Sequence, residues 1–187
     1  KLMRASVYFL YATFTQHWNK NLHHSVDYLD KSFDWALQYG DLATLGYICA
    51  VRGSDTLARG VNLSQAHSSL NQDIALLKKH KQTDMFDCVT VGALQSVKAL
   101  LGLTHKDVSF NDNNFNENDF LKKYQNAPLH LAYFYNAKIR HSYLMRDTQE
   151  NQLKNAAQLT TVVTYVPGQN KIVEASFYTA LICLKFA

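Results

Sequence analysis

Two kinds of helical segment alternate along this chain, and their order is the feature that most restricts its fold. Segments that are apolar around most of their circumference begin near residues 2, 41, 82, 128 and 171. A more polar, amphipathic segment follows each of the first four, so the pattern recurs about every 40 residues, an interval typical of stacked helical hairpins. The sequence therefore predicts an all-α fold of about nine helices, arranged as an α-solenoid of antiparallel hairpins.

Turn-forming residues locate the helix ends, and they are few because only seven Gly and two Pro are present. Gly40 predicts the end of the second helix, and Asp41 predicts the N-cap of the third. Pro128 predicts the first turn of the seventh helix, and the asparagine-rich stretch 104–116 predicts a loop. The other helices are expected near residues 2–17, 22–39, 42–58, 63–80, 83–101, 117–125 and 149–165, with the last one from 170 or 171 onward.

The composition is that of a folded globular protein, with 47% hydrophobic and 18% charged residues. We expect residues 1–187 to form a single helical-repeat domain. Cys49, Cys88 and Cys183 are far apart and form no CxxC pair, which favours buried thiols in a cytoplasmic protein over disulfides. No stretch approaches the roughly 20 apolar residues that span a bilayer, so we expect no membrane insertion of this chain.

The basic residues are scattered, and the formal net charge is only +4. A nucleic-acid-binding protein normally concentrates Lys and Arg on one face. The densest cluster, at residues 78–81, lies at a predicted helix end, where cations complement the helix dipole. We therefore expect protein partners and no nucleic-acid partner.

His23 and Asp27 are the first candidates for a metal-binding or catalytic site, because they are four positions apart and so lie on one helical face. Two groups from one helix do not make a metal site without further ligands, and no HExxH motif is present. Exposed polar residues of an amphipathic helix are the simpler explanation. No Gly-rich phosphate loop and no GxSxG motif is present either.

The stretch Asp112-x-Asn114-x-Asn116 has the opening pattern of a calcium loop. Such a loop needs Gly at its sixth position and Glu at its twelfth, where this chain has Glu117 and Lys123. Residues of a helix-capping loop explain the pattern better. We expect no catalytic, cofactor-binding or metal-binding residue and no cofactor.

Aromatic residues are abundant in the predicted first, seventh and ninth helices. Most of these rings are expected to fill the core between helices, with the fullest burial on the odd-numbered helices. A minority of the tyrosines could line a concave recognition surface for a protein partner. The candidates for this surface are Tyr8, Tyr11, Tyr135 and Tyr143.

Several stretches resemble a known family: residues 4–8 followed by His17-Trp18, residues 32–41, and the chain from Leu159 into the last helix. They are similar to the tetratricopeptide-like (TPR-like) helical region of large bacterial multidomain signalling proteins. In that family an AAA-type NTPase module precedes the helical region, and a GAF domain and a histidine kinase often follow it. Some members also begin with a domain that resembles a serine/threonine kinase.

The resemblance covers nearly the whole chain and implies a non-catalytic scaffold that couples an upstream NTPase to a downstream output module. The family has no catalytic residues in this region. The last helix is apolar and has no stop signal, so we expect the chain to be part of a longer protein. Two alternatives stay open: an inducer-binding or partner-binding helical domain of an NTPase-coupled transcription activator, and a free-standing α-helical enzyme.

Overall fold

A computed structural model describes residues 3–186, and its regular secondary structure in that range is entirely helical. The described residues form no strand and nine helices, if segments joined by a π turn are counted as one helix, which confirms the predicted helical class. Residues up to Thr90 form one compact unit (unit 1), and residues from Val91 onward form a second (unit 2). The continuous solenoid and the single domain stay predictions.

Unit 1 consists of short and long helical segments in direct succession. Because a π-helical turn joins α1 to α2 without a break, these three segments form one helix. The predicted start of this helix, at Leu2, lies outside the described residues. The elements are α1 (Arg4–Tyr11), the π turn (Ala12–Gln16), α2 (His17–Asn19), a 3-10 turn (Leu22–His24), α3 (Ser25–Tyr39), α4 (Leu42–Ser54), α5 (Leu63–Lys79) and α6 (Thr83–Val89).

The chain passes from unit 1 into unit 2 through a second π turn, Thr90–Leu94. The loop at residues 101–116 then separates α7 from α8, close to the predicted loop at 104–116. The remaining elements are α7 (Gln95–Leu100), α8 (Glu117–Lys123), α9 (Pro128–Leu144), α10 (Gln149–Val162), a 3-10 turn (Val163–Tyr165) and α11 (Asn170–Lys185).

Local capping chemistry explains where the helices begin and end. Gly40 ends α3 in the left-handed conformation, with φ of 69°, and the Asp41 carboxylate accepts a hydrogen bond from the Thr44 amide at 3.1 Å. Pro128 lies in the first turn of α9, where a missing N–H costs nothing. These three predictions are confirmed. Asn116 caps α8 in the same way as Asp41 caps α4.

The core of unit 1 lies between α1, α3, α4 and α6. Helix α3 packs against α1 and α4, and α4 also packs against α6. Helix α4 is buried along most of its length, because it is covered on several sides. Its contributions to the core are Leu45, Ile48 and Val51, which pack with Ala5, Phe9, Leu29 and Ala36.

The core of unit 2 is built around α9, which packs against α7, α10 and α11. This helix is buried nearly all round, and both apolar and polar side chains of α9 lie in the interior. Ala132, Phe134, Ala137 and Ile139 supply its apolar contacts. The prediction of high burial for the seventh helix is confirmed.

The last helix, α11, is less buried than the sequence pattern indicates. Among its described residues only Lys171, Ala175 and Ile182 are buried, whereas Val173, Phe177 and Leu184 are exposed. The prediction that the odd-numbered helices have the fullest burial is therefore wrong for this helix. The physical reason is that α9, α10 and the 3-10 turn cover one side of α11 and leave its other apolar residues uncovered.

The cysteines differ in accessibility, and one of them corrects the sequence prediction. Cys49 and Cys88 are buried as expected, but Cys183 is exposed on α11. The reason is again the uncovered side of that helix. Burial raises the pKa of the Cys49 thiol to about 12, and the neighbouring Asp73 carboxylate contributes to the rise. The reactive thiolate form of Cys49 is therefore scarce at neutral pH.

We expect Cys183 to be the thiol that reacts rapidly with Ellman's reagent in the folded chain, because accessibility and thiolate fraction control the rate. Reaction of Cys49 and Cys88 should require unfolding. The measurement is the absorbance of the thionitrobenzoate released with and without 6 M guanidinium, with Cys183→Ser as the control variant. Rapid reaction of the folded Cys183→Ser variant would contradict the burial of the other two thiols.

Candidate functional site

A groove of about 480 Å³ in unit 2 gathers the most varied set of polar side chains around an apolar strip. It lies between the loop at 101–116, α8, α9 and the start of α10. We call it the polar groove. Its lining residues are His105, Lys106, Val108, Ser109, Asn111, Glu117, Asn118, Leu121, Phe134, Tyr135, Lys138, Asp147, Asn151, Lys154 and Asn155.

The loop that forms one wall of the groove is held by a buried aromatic anchor. Phe110 is fully buried, and its ring centroid lies 6.1 Å from that of Phe134 and 5.2 Å from that of His141, both on α9. Such edge-to-face and tilted contacts stabilise a loop beyond the area they bury. The loop wall is therefore fixed against α9.

An ion pair two residues after Phe110 ties the same loop to α7. Lys98 donates a hydrogen bond of 2.7 Å to Oδ2 of Asp112, and the Asn114 amide donates to Oδ1 at 2.7 Å. Burial alone would raise the pKa of the Asp112 carboxyl, but these hydrogen bonds hold it below its usual value. The carboxylate therefore stays ionised in the folded chain at neutral pH.

A buried lysine on α9 joins the loop to α8 beneath the groove. Lys138 is only 7% exposed, and its Nζ donates to Oε1 of Glu117 at 2.7 Å and to the Val108 carbonyl at 2.9 Å. The same Glu117 oxygen accepts hydrogen bonds from the Phe110 amide and from Ser109 Oγ. A buried charge needs such a set of partners, so this ion pair holds three elements together.

His141 is a second buried polar group behind the loop. Its Nε2 lies 2.6 Å from the Asp107 carbonyl, which fixes Nε2–H as the donor in the neutral tautomer. Its Nδ1 has no hydrogen-bond partner among the described residues. Burial lowers the pKa of His141, and the nearby Lys138 and Arg140 charges lower it further. The imidazole is therefore neutral at pH 7.

Because the folded-state pKa of His141 lies below the value of 6.5 for an exposed histidine, the unfolded chain binds this proton more readily. We expect the stability contributed by His141 to be complete above pH 6.5 and to fall as the pH is lowered below it. Urea midpoints between pH 7.5 and 5 measure the effect. The His141→Gln variant keeps a donor for Asp107 but cannot titrate, so its midpoint should change less over this range; equal changes would contradict the assignment.

The exposed part of the groove combines apolar contact with positive charge. Lys106 and Lys154 are exposed and form no ion pair among the described residues. The Asp147 carboxylate accepts hydrogen bonds on Oδ1 from the Thr148 amide at 2.7 Å and from the Asn151 side chain at 3.0 Å, and these neutral donors leave its charge in place. The groove therefore offers a partner two cations and one carboxylate. They lie beside the amides of Asn118 and Asn155.

Tyr135 is the predicted interaction residue that the structure places in this groove. It is half-buried, and burial followed by the nearby Glu117 charge raises the pKa of its phenol. Tyr143, on the same helix, lies against Tyr178 of α11, with ring centroids 5.9 Å apart.

The other two predicted tyrosines lie in unit 1, where both contact the ring of Tyr28. Their centroids are 5.6 Å from it for Tyr8 and 4.9 Å for Tyr11. Tyr8 also packs edge-on against Trp35 at 4.6 Å. The structure thus brings Tyr8 and Tyr11 together on the ring of Tyr28. That the four tyrosines form an interaction surface stays a prediction.

The polar residues inside α9 are the part of the site that sequence reasoning missed. They interrupt a helix that is otherwise apolar all round, and this interruption is the sequence signal from which their role could have been predicted. Because a buried polar group requires a partner, each one indicates a tertiary contact. The pairs are Asn136 with the Lys171 carbonyl, Lys138 with Glu117, Arg140 with Glu174, and His141 with the Asp107 carbonyl.

The constellations that the sequence analysis set aside have structural roles. His23 lies exposed with its Nδ1 2.7 Å from Oδ1 of Asn21, and Asn116 caps α8, as a helix-capping loop requires. Within residues 3–186, no group of three or more His, Cys, Asp or Glu side chains is placed to hold a metal ion. No helix in that part of the chain is long and apolar enough to cross a bilayer.

The polar groove and the ion pair beneath it are assembled from segments that lie far apart in the sequence. They place two available lysines, several amides and a tyrosine around an apolar strip. Such a combination offers both hydrogen bonds and apolar contact to a polypeptide segment. Among known proteins, no family, no curated protein and no solved structure matches this chain.

Proposed function

We propose that the chain is a non-catalytic interaction domain of a cytoplasmic, multidomain bacterial signalling protein. In this proposal it couples an AAA-type NTPase to an output module such as a histidine kinase, and it does so by binding a segment of a neighbouring module. The polar groove of unit 2 is the observation that carries the proposal, because it offers charge and apolar surface together.

The groove favours an extended segment that carries at least one acidic side chain. Lys106 and Lys154 are the cations available to pair with it, since Lys138 is already paired with Glu117. Leu121 and Tyr135 provide apolar contact, and amide side chains can bond the backbone of an extended segment. Charge complementarity of this kind gives specificity and a faster association rate.

Helix packing within each unit supports the proposed stack of TPR-like hairpins. In unit 1, α4 packs against α3 before it and against α6 beyond α5; in unit 2, α9 packs against α10 and α11. Contacts between a helix and its first and second neighbours along the chain are typical of stacked hairpins. Domains of this architecture present extended surfaces to other proteins.

The proposal is tested with the modules encoded on either side of this chain in its reading frame. Each is purified and titrated against the chain labelled at the exposed Cys183, and fluorescence anisotropy measures the affinity. We expect saturable binding of one neighbouring module, and a loss of about tenfold in affinity for Lys154→Glu because one attractive charge becomes repulsive.

Lys122→Glu is the matched control, because Lys122 is an exposed lysine of the same unit that does not line the groove. It makes the same change in net charge and should alter the affinity by less than about twofold. Equal losses for both variants would mean that the groove is not the binding site. Absence of binding by every neighbouring module would overturn the proposal itself.

A further inference from the structure

Unit 1 contains a cavity of about 310 Å³ between α3, the end of α4, the turn after α4, and α5. This volume is at the lower end of the range for small-molecule sites. One wall is aliphatic and includes Val26, Val61 and Leu70. The opposite wall is charged, and each of the four segments around the cavity supplies one of its four ionisable side chains.

Arg52 lies at the centre of the charged wall, and its charge is already paired with two carboxylates. Its guanidinium donates to Oδ1 of Asp30 at 3.1 Å and to Oδ1 of Asp73 at 2.6 Å, and it lies 4.5 Å from the centroid of the Phe33 ring. Two carboxylates thus neutralise one cation. Arg52 binds one oxygen of each carboxylate and leaves Oδ2 of both without a hydrogen bond among the described residues.

Arg59 is the second cation of this cavity, and Asp55 and Asp30 are the carboxylates whose charges act on it. It is half-buried and forms no ion pair among the described residues; its one hydrogen bond donates to the Arg52 carbonyl at 3.4 Å. Burial lowers the pKa of Arg59, and Asp55 and Asp30 counteract this only in part. A guanidinium has five N–H donors, so most of its bonding capacity is open.

The charges of the lining decide which ligand fits. The two arginines and two aspartates of the lining cancel in charge, and the Asp55 charge acts on Arg59 from outside the lining. N–H donors of Arg59 and one carboxylate oxygen each of Asp30 and Asp73 stay open. A simple anion would be attracted by Arg59 but repelled by the aspartates. A simple cation would be attracted by the aspartates but repelled by Arg59. A zwitterion satisfies both positions at once, and an aliphatic group on it would contact Val26 and Leu70.

We propose that this cavity binds a free aliphatic amino acid, with its carboxylate on Arg59 and its ammonium group on Asp30 and Asp73. The site would make unit 1 a sensor of a small metabolite, in addition to the protein contacts proposed for unit 2. Charge-assisted hydrogen bonds at both ends give such a site its selectivity.

Isothermal titration calorimetry of the whole chain with L-leucine and L-valine tests the proposal. We expect one binding site, and a loss of about tenfold or more in affinity for Arg59→Gln. The glutamine keeps an N–H that can reach the Arg52 carbonyl but has no charge, so an effect of Arg59 on folding alone would leave the affinity unchanged. Arg59→Lys keeps the charge and should retain part of the affinity.

Two analogues of leucine separate a zwitterion site from a simple ion site. 4-Methylpentanoate lacks the ammonium group and isopentylamine lacks the carboxylate, and each should bind at least about tenfold more weakly than leucine. Equal binding of either analogue would overturn the proposal. So would the absence of heat with leucine at about 10 mM, where even millimolar affinity is visible.

Ser69→Phe provides a second variant that does not depend on the charged wall. Ser69 is an exposed residue at the edge of the cavity, so a phenyl group there fills the opening without removing a core contact. We expect this variant to keep the melting temperature of the parent chain and to lose leucine binding. Unchanged binding would place any leucine site elsewhere and overturn the assignment to this cavity.

Discussion

Glu117→Ala is expected to lower the free energy of unfolding by about 3–5 kcal/mol, because it leaves the Lys138 ammonium buried without its counter-ion. Lys138 is bonded to Glu117 at 2.7 Å, and Glu117 also accepts the hydrogen bonds that hold the loop at Ser109 and Phe110. The substitution therefore removes the support of three elements at once. Urea unfolding followed by far-UV circular dichroism measures the loss.

A double substitution distinguishes a lost ion pair from a lost side chain. In Glu117→Leu/Lys138→Met both charges are replaced by apolar groups of similar length, and such replacements are often close to neutral. We expect the double variant to be more stable than Glu117→Ala. A double variant that is as unstable as the sum of its single variants would show that the charges do not act as a pair.

Arg52→Met is the second large effect, with an expected loss of about 3 kcal/mol, because it leaves the Asp73 carboxylate unpaired in the interior. Asp73 is 5% exposed and bonds Arg52 at 2.6 Å, so the substitution leaves its carboxylate without a counter-ion. Arg52 also joins α3 to α5 through Asp30. Chemical unfolding monitored by tryptophan fluorescence reports the loss.

The loss in Arg52→Met should depend on pH in a defined direction. Burial raises the pKa of the Asp73 carboxyl, and removing Arg52 removes the main group that lowers it. Because the folded-state pKa then lies above the unfolded value, the folded variant binds a proton more readily, and it regains stability as the pH falls. We expect a smaller difference from the parent chain at pH 4.5 than at pH 7.5.

Asp30→Asn is the control for this cluster, since the Asp30 side chain is 54% exposed and its ion pair with Arg52 is screened by water. Its effect should be below about 1 kcal/mol. A loss as large as that of Arg52→Met would mean that the surface half of the cluster carries the stability, contrary to the burial of Asp73.

The helix ends could be predicted from the sequence because their causes are local. Asp41 bonds an amide three residues later, Gly40 adopts its left-handed conformation within its own turn, and Pro128 needs only a helix start. Each of these depends on neighbours within one helical turn. Helix order, length and loop positions followed from such signals together with the apolar pattern.

The groove could not be predicted in the same way, because its contacts join residues that are distant in the sequence. Lys138 pairs with Glu117, and His141 bonds the Asp107 carbonyl, 34 residues away. An apolar pattern places residues on a helix face but does not show which loop covers that face. The exposed side of α11 has the same origin, since Phe177 belongs to an apolar pattern that no described element covers.

Amide hydrogen exchange is the most direct test of the central proposal, that unit 2 binds a neighbouring module through the polar groove. The chain is compared alone and saturated with the module that binds it. We expect slower exchange at residues 104–125 and 147–155, which contain the loop wall, α8 and the start of α10. Slower exchange elsewhere in the chain, with these two segments unchanged, would contradict the proposal.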